Sequence, residues 1–135
     1  MAGTATILEY PAEALSPGGA FDRIQWTWVA TAGGIVSGAD SITLRSYTGF
    51  VVGLVTIPDA GSAPTNLYDI TILDTDGVDV MNGAGIDRSD TVTEQTAGLM
   101  AAGVPRTLWN TTLTLTIAVA GNAGEGIAIL YILRR

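Results

Sequence analysis

Apolar and polar residues alternate with a period of two along most of this chain, and 3.6-residue periodicity is nearly absent. From Phe21 to Thr31, Ile24, Trp26, Trp28 and Ala30 fall on one face and Gln25, Thr27, Val29 and Thr31 on the other, which predicts a half-buried strand. Asp40 to Tyr47 sets Ile42 and Leu44 against Ser41, Thr43 and Arg45 and predicts another of the same kind. The run from Phe50 to Ile57 is apolar on both faces, as a strand sandwiched between layers would be, and Pro58 ends it. Thr4 to Tyr10 reads as a strand, and a weaker one lies near Thr91 to Thr96.

Turn chemistry joins these runs. Leu67 to Leu73 and Val78 to Met81 flank Asp74-Thr-Asp-Gly77, whose glycine can take the left-handed conformation of a tight hairpin. Thr111 to Val119 sets Leu113, Leu115, Ile117 and Val119 against Thr112, Thr114, Thr116 and Ala118, and the glycine-rich stretch from Ala120 to Gly126 leads into Ile127 to Leu133. This pairing predicts a long apolar C-terminal hairpin. The one helix candidate, Glu94 to Ala102, is weakened by Gly98 and reads as a loop or single turn. Eight to nine short strands separated by turns predict an all-β fold, an antiparallel β-sandwich or jelly roll. Gly33-Gly34, Gly61 to Pro64 and Gly83 to Gly85 are loops too short to link domains, and no internal repeat is present. The 135 residues read as one domain, with residues 1–20 as an N-terminal arm that could reach a neighbouring subunit.

Composition removes most catalytic chemistry. With no His, Cys or Lys, the chain has no imidazole base or metal ligand, no thiolate, no Schiff-base amine and no phosphate-loop lysine. The net charge of −7 opposes nucleic acids and anionic lipid surfaces as partners. The first residues carry no basic start and no long apolar run, so the chain reads as made and kept in the cytosol, at least initially. Charged residues are 14% of the chain, against about 25% in an ordinary soluble domain, and Thr, Ser, Gly and Ala fill the deficit. Such a surface suits contact with other chains, although a coding bias toward Ala, Gly and Arg could produce part of the same signal.

Candidate sites are few. Asp74, Asp76 and Asp79 place hard oxygen ligands at alternate positions, as a calcium loop does, but the flanks read as strands and the spacing lacks the loop's sixth-position glycine and twelfth-position glutamate. A hairpin turn with a solvated loop is the plainer reading, with a structural cation site beside it. Leu73-Asp-Thr-Asp-Gly77 brushes against the Asp-Thr-Gly of aspartic proteases, but Asp76 interrupts it. Trp26 and Trp28 share a strand face and could stack on a sugar, with Trp109 joining them, but beside Ile24 and Ala30 they read as a buried stripe. Asn110-Thr-Thr112 matches a glycosylation acceptor, Gly121-x-x-Gly124-x-Gly126 reads as a hairpin loop, and Arg134 and Arg135 read as solvated tail charges, with pairing to acidic groups on a neighbour as the alternative.

Trp-x-Trp followed by Ala30-Thr-Ala-Gly-Gly34, Tyr68 to Val80, Asn82-Gly-Ala-Gly85 with Asp87-Arg88, and the stretch from Leu113 to Leu133 together resemble small virion structural proteins of tailed bacteriophages. The resemblance spans roughly Phe21 to Leu133 and consists of strand and turn sequences. It implies a non-enzymatic β-sandwich or jelly roll without cofactor, a self-assembling unit, often trimeric, that decorates or cements a capsid or serves as a head-fibre, tail or connector part of the virion. The implied partners are further copies of the chain and a major capsid or other virion protein. The apolar C-terminal segment is the expected packing surface, with Leu113, Leu115, Ile117, Ile129 and Tyr131 as its interface residues. The alternative is a carbohydrate- or receptor-binding module of a tail fibre or an extracellular surface.

Overall fold

The structure is a computed structural model that describes residues 3–11, 21–36, 41–99 and 103–134. Among the described residues eight strands form: β1 (Thr4–Tyr10), β2 (Phe21–Val29), β3 (Tyr47–Pro58), β4 (Asp69–Leu73), β5 (Glu94–Thr96), β6 (Thr107–Thr111), β7 (Thr114–Ala118) and β8 (Glu125–Leu133). The larger sheet runs β1-β2-β8-β3-β5, with β6 also paired to β3, and the smaller pairs β4 with β7; every pairing is antiparallel.

Single bridges widen the smaller sheet. Val36 pairs with Ile117 and Ile42 with Thr114 beside β7, while Leu73 pairs with Asp79 and Tyr68 with Arg88 beside β4. The Ile70 amide donates to the Gly85 carbonyl at 2.9 Å, and the Val80 amide to the Ile72 carbonyl at 2.8 Å. The second layer is therefore ordered Val36 and Ile42, then β7, β4 and 79–88. It faces a first layer ordered β2, β8, β3 and then β5 with β6, and the chain crosses repeatedly between the two. That is jelly-roll topology, with β1 added at one edge.

The core lies between the layers because alternate residues of each strand point there. Ile24, Trp26 and Trp28 from β2, Leu54 from β3, Leu130 and Ile132 from β8, Ile70 and Ile72 from β4, and Leu113, Leu115 and Ile117 around β7 are buried. The Trp28 and Tyr68 rings meet across the layers at 5.4 Å, tilted by 50°. The buried-stripe reading of Trp26 and Trp28 is the one that holds.

Four expectations are corrected. First, Thr111 to Val119 and Ile127 to Leu133 do not form a hairpin: β7 pairs with β4, whereas β8 lies between β2 and β3 in the other sheet. Each strand has one apolar stripe, and an arch between layers turns both stripes into one core. The crossing uses positive φ at Val119 (59°), Gly121 (76°) and Ala123 (54°). It is tied down by Ala120 N–H to Gly34 carbonyl at 3.0 Å, Ala123 N–H to Thr31 carbonyl at 3.0 Å and Thr65 N–H to Ala120 carbonyl at 2.9 Å.

Second, the 41–45 segment has the opposite facing. Ser41 and Thr43 are buried while Ile42 and Leu44 are exposed, Leu44 to 90%. Hydrogen bonding decides this: Trp26 Nε1 donates to the Ser41 carbonyl at 2.8 Å, and Thr43 Oγ1 accepts the Leu113 amide at 3.0 Å and donates to the Arg45 carbonyl at 2.9 Å. Third, β3 has a layer on one side only: Val51, Leu54 and Thr56 are buried, while Val52, Val55 and Ile57 are half-buried on the outward side. Fourth, residues 4–10 are no arm. They pair along their length with β2, and the Glu9 carboxylate accepts the Leu44 amide at 2.9 Å, the Arg45 amide at 3.2 Å and the Tyr47 hydroxyl at 2.6 Å. Residues 12–20 of the expected arm lie outside the described residues.

The remaining segments follow the reading more closely. The Asp74–Gly77 hairpin forms, with Gly77 at φ 78° and the Asp74 amide bonded to the Val78 carbonyl at 3.0 Å. Glu94–Thr96 is a short strand, while residues 100–102 of the helix candidate lie outside the described residues. The sequence reading missed β6, where Trp109 and Asn110 sit amid polar neighbours.

Candidate functional site

Cross-strand pairing assembles one continuous outward surface on the larger sheet. Tyr131 of β8 lies opposite Arg23 of β2 and Gly53 of β3, Ile129 opposite Gln25 and Val55, and Ile127 opposite Thr27 and Ile57. Leu8 and Tyr10 of β1 extend it beside Gln25 and Arg23, and Gln95 of β5 closes the other side against Val55. A register shift between Val51 and Gly53 inserts Val52 as an extra residue. The bulge helps shape a shallow groove of about 560 Å³ lined by Phe21, Val52, Gly53, Val55, Gln95 and Tyr131.

Arg23 is a cation of this surface, and three neighbours hold it. Its guanidinium lies 5.2 Å from the Tyr10 ring centroid, its Nη2 donates to Gln25 Oε1 at 3.1 Å, and its Nε reaches the Tyr131 hydroxyl at 3.4 Å. The arrangement is fixed by β-sheet register: residues 10, 23 and 131 are side by side on three adjacent strands.

Of the expected interface residues, Ile129 and Tyr131 belong to this surface, with Ile129 shielded to 6% exposure by its neighbours. Leu113, Leu115 and Ile117 do not: all three are fully buried between the sheets, so they hold the fold and cannot meet a partner. The difference follows from the arch, which directs the apolar stripe of β7 inward. Leu8, Tyr10, Phe21, Arg23 and Val55 were missed. The available signal was β3, whose two apolar faces marked a strand with more apolar surface than one core can cover.

The acidic loop is occupied by its own backbone. Asp74 Oδ1 accepts the Asp76 and Val78 amides, each at 3.0 Å, and Asp74 Oδ2 pairs with Arg106 at 2.7 Å. Asp79 Oδ1 accepts the Met81 amide at 3.0 Å, and its Oδ2 accepts the Gly83 amide at 2.7 Å. The plainer reading of this stretch, a hairpin turn, is the one formed: the Asp74 and Asp79 oxygens cap turns, and among the described residues no group of three acids is arranged to hold a metal ion. Burial pushes the Asp74 carboxyl up, but the hydrogen bond from Arg106 and those from the Val78 and Asp76 amides outweigh it and hold the group below the usual carboxylate range.

Elsewhere, burial pushes the Tyr68 hydroxyl up to about 12, and burial with the Glu9 carboxylate raises Tyr47 further, so both stay neutral phenols. Arg134 is not a solvated tail charge, because its Nε lies 3.6 Å from the buried Asp22 carboxylate; Arg135 lies outside the described residues. Trp109 is 81% exposed on β6, beside Asn110 at φ 47°.

Comparison of the chain with known protein families, curated proteins and solved structures found no match.

Proposed function

We propose that this chain is a non-enzymatic structural component of a phage particle, a head decoration or cement protein that binds the assembled shell as a homo-oligomer, with a trimer as the form the sequence resemblance implies. One observation carries the reading: a chain of net charge −7 leaves the outward face of its larger sheet apolar and nearly free of acids. A solvated monomer normally scatters charge over such a face, and a contiguous apolar sheet face with few charges marks an interaction surface. The jelly roll and the virion-like strand and turn sequences support the same role.

Cementing follows from mass action. A protein that binds the closed shell better than the loosened one stabilises the closed state by RT ln(1 + [L]/Kd), about 2.7 kcal/mol per site at a hundredfold excess over Kd. Oligomers add avidity, since several weak contacts on one lattice axis engage together. The test is co-sedimentation of the purified chain with particles of the phage that encodes it, alongside heat release of the particle's genome. Saturable binding and a higher release temperature are expected; a chain left wholly in the supernatant at saturating concentration overturns the reading.

Trp109 favours one second reading, a carbohydrate-binding module, because an indole exposed to 81% offers a stacking face that buried Trp26 and Trp28 do not. A glycan array decides it: binding abolished by Trp109→Ala at unchanged melting temperature supports the module, and an empty array removes it.

A further inference from the structure

Resting on the assembly reading above, we propose that the outward face of the larger sheet is where copies of this chain meet one another, with Arg23, Tyr10 and Tyr131 on its β1 side and Phe21 and Val55 beside them. Charge selects a second copy as the occupant. Two chains of −7 repel, so they approach at least cost where acids are sparse. Asp69, Asp74, Asp76, Asp79, Asp87 and Asp90 belong to the other sheet and its loops, whereas the acid on the outward side of β8 is Glu125, at its end. A basic partner would be drawn to the acid-rich layer instead, whereas another acidic chain can approach only where both surfaces are acid-poor, as two copies of this face are. A face of this composition suits its own likeness.

Area agrees. Five strands about 4.8 Å apart, crossed by a nine-residue strand at about 3.4 Å per residue, span roughly 700 Å², close to the roughly 800 Å² per partner of a standard interface. The β1 side of the face also has interface composition. Tyr and Arg dominate association energies, and Arg23 is already held by Tyr10, Gln25 and Tyr131, so little side-chain freedom remains to be lost on contact.

Sedimentation equilibrium of the full chain at rising concentration tests this. Wild type is expected at two or more chains per particle, and Val55→Glu to weaken self-association at least about tenfold with unchanged circular dichroism. Leu44→Glu, at a 90% exposed position on the 41–45 segment, is expected to leave association unchanged. Should Val55→Glu unfold, Phe21→Glu at the half-exposed start of β2 makes the same test. A monomeric wild type, or a folded Val55→Glu or Phe21→Glu chain that associates as tightly as wild type, overturns the proposal. A monomer that still sediments with particles sinks this face and leaves the structural role standing; an assembled chain disrupted by Val55→Glu but indifferent to particles supports the face and sinks that role.

Discussion

Single side chains in this molecule do their work by ending hydrogen-bond debts inside a two-layer core. Asp74 is the clearest case, with 3% side-chain exposure and a 2.7 Å pair to Arg106, whose side chain keeps 24%. Asp74→Ala leaves a partly buried guanidinium unpaired and should cost about 3 kcal/mol, the lower end for a broken buried pair. Because the folded carboxyl sits below its ordinary value, its contribution is complete above the unfolded pKa near about 4 and is lost as pH falls through the folded value. The stability gap between wild type and Asp74→Asn, measured by urea unfolding, should therefore shrink as pH drops below about 4. A gap that widens there would refute the pairing. The same saturated oxygens predict that a chelator leaves the melting temperature unmoved.

At the scale of elements, the arch between β7 and β8 concentrates backbone strain. Val119 is β-branched, holds φ 59° and is 57% exposed, so its side chain adds little burial to offset the left-handed conformation. Val119→Gly should raise stability by up to about 1 kcal/mol, since relief of about 1–2 exceeds the added chain entropy of roughly 0.5–1. Gly121→Ala should do the reverse: at φ 76° its new Cβ would run into Thr65 Oγ1, and a loss of about 2 kcal/mol, roughly 3–5 °C per kcal/mol in Tm, is expected. Thermal melts of the two variants read both signs. Local sequence made this arch look like a hairpin loop because glycine-rich turns serve both; which strand a turn returns to depends on partners more than a hundred residues away, such as Phe21 opposite Leu133.

For the whole molecule, charge and apolar surface oppose each other. If copies meet through an acid-poor face, salt screens the −7 repulsion while leaving apolar contact intact, so self-association should strengthen between low and about 0.15 M ionic strength, where the Debye length is about 8 Å. Sedimentation in the two buffers checks this, and weakening with salt would indicate ion-paired contacts instead. Much of the fold was legible beforehand. Period-two alternation and turn residues alone determine an all-β chain, strands within Phe21–Thr31, Phe50–Ile57 and Ile127–Leu133, the Asp74–Gly77 hairpin and the burial of Trp26 and Trp28. Those features depend on neighbours in sequence, whose side chains alternate whatever the partner strand. The layer to which β7 and β8 belong, the inward turn of Ser41 and Thr43, the burial of Leu113, Leu115 and Ile117 and the meeting of Tyr10, Arg23 and Tyr131 were decided only by tertiary structure. Alternation says that a strand has two faces; only the pairing of distant strands and the closure of the second sheet over one side say which face is covered and which is left outward.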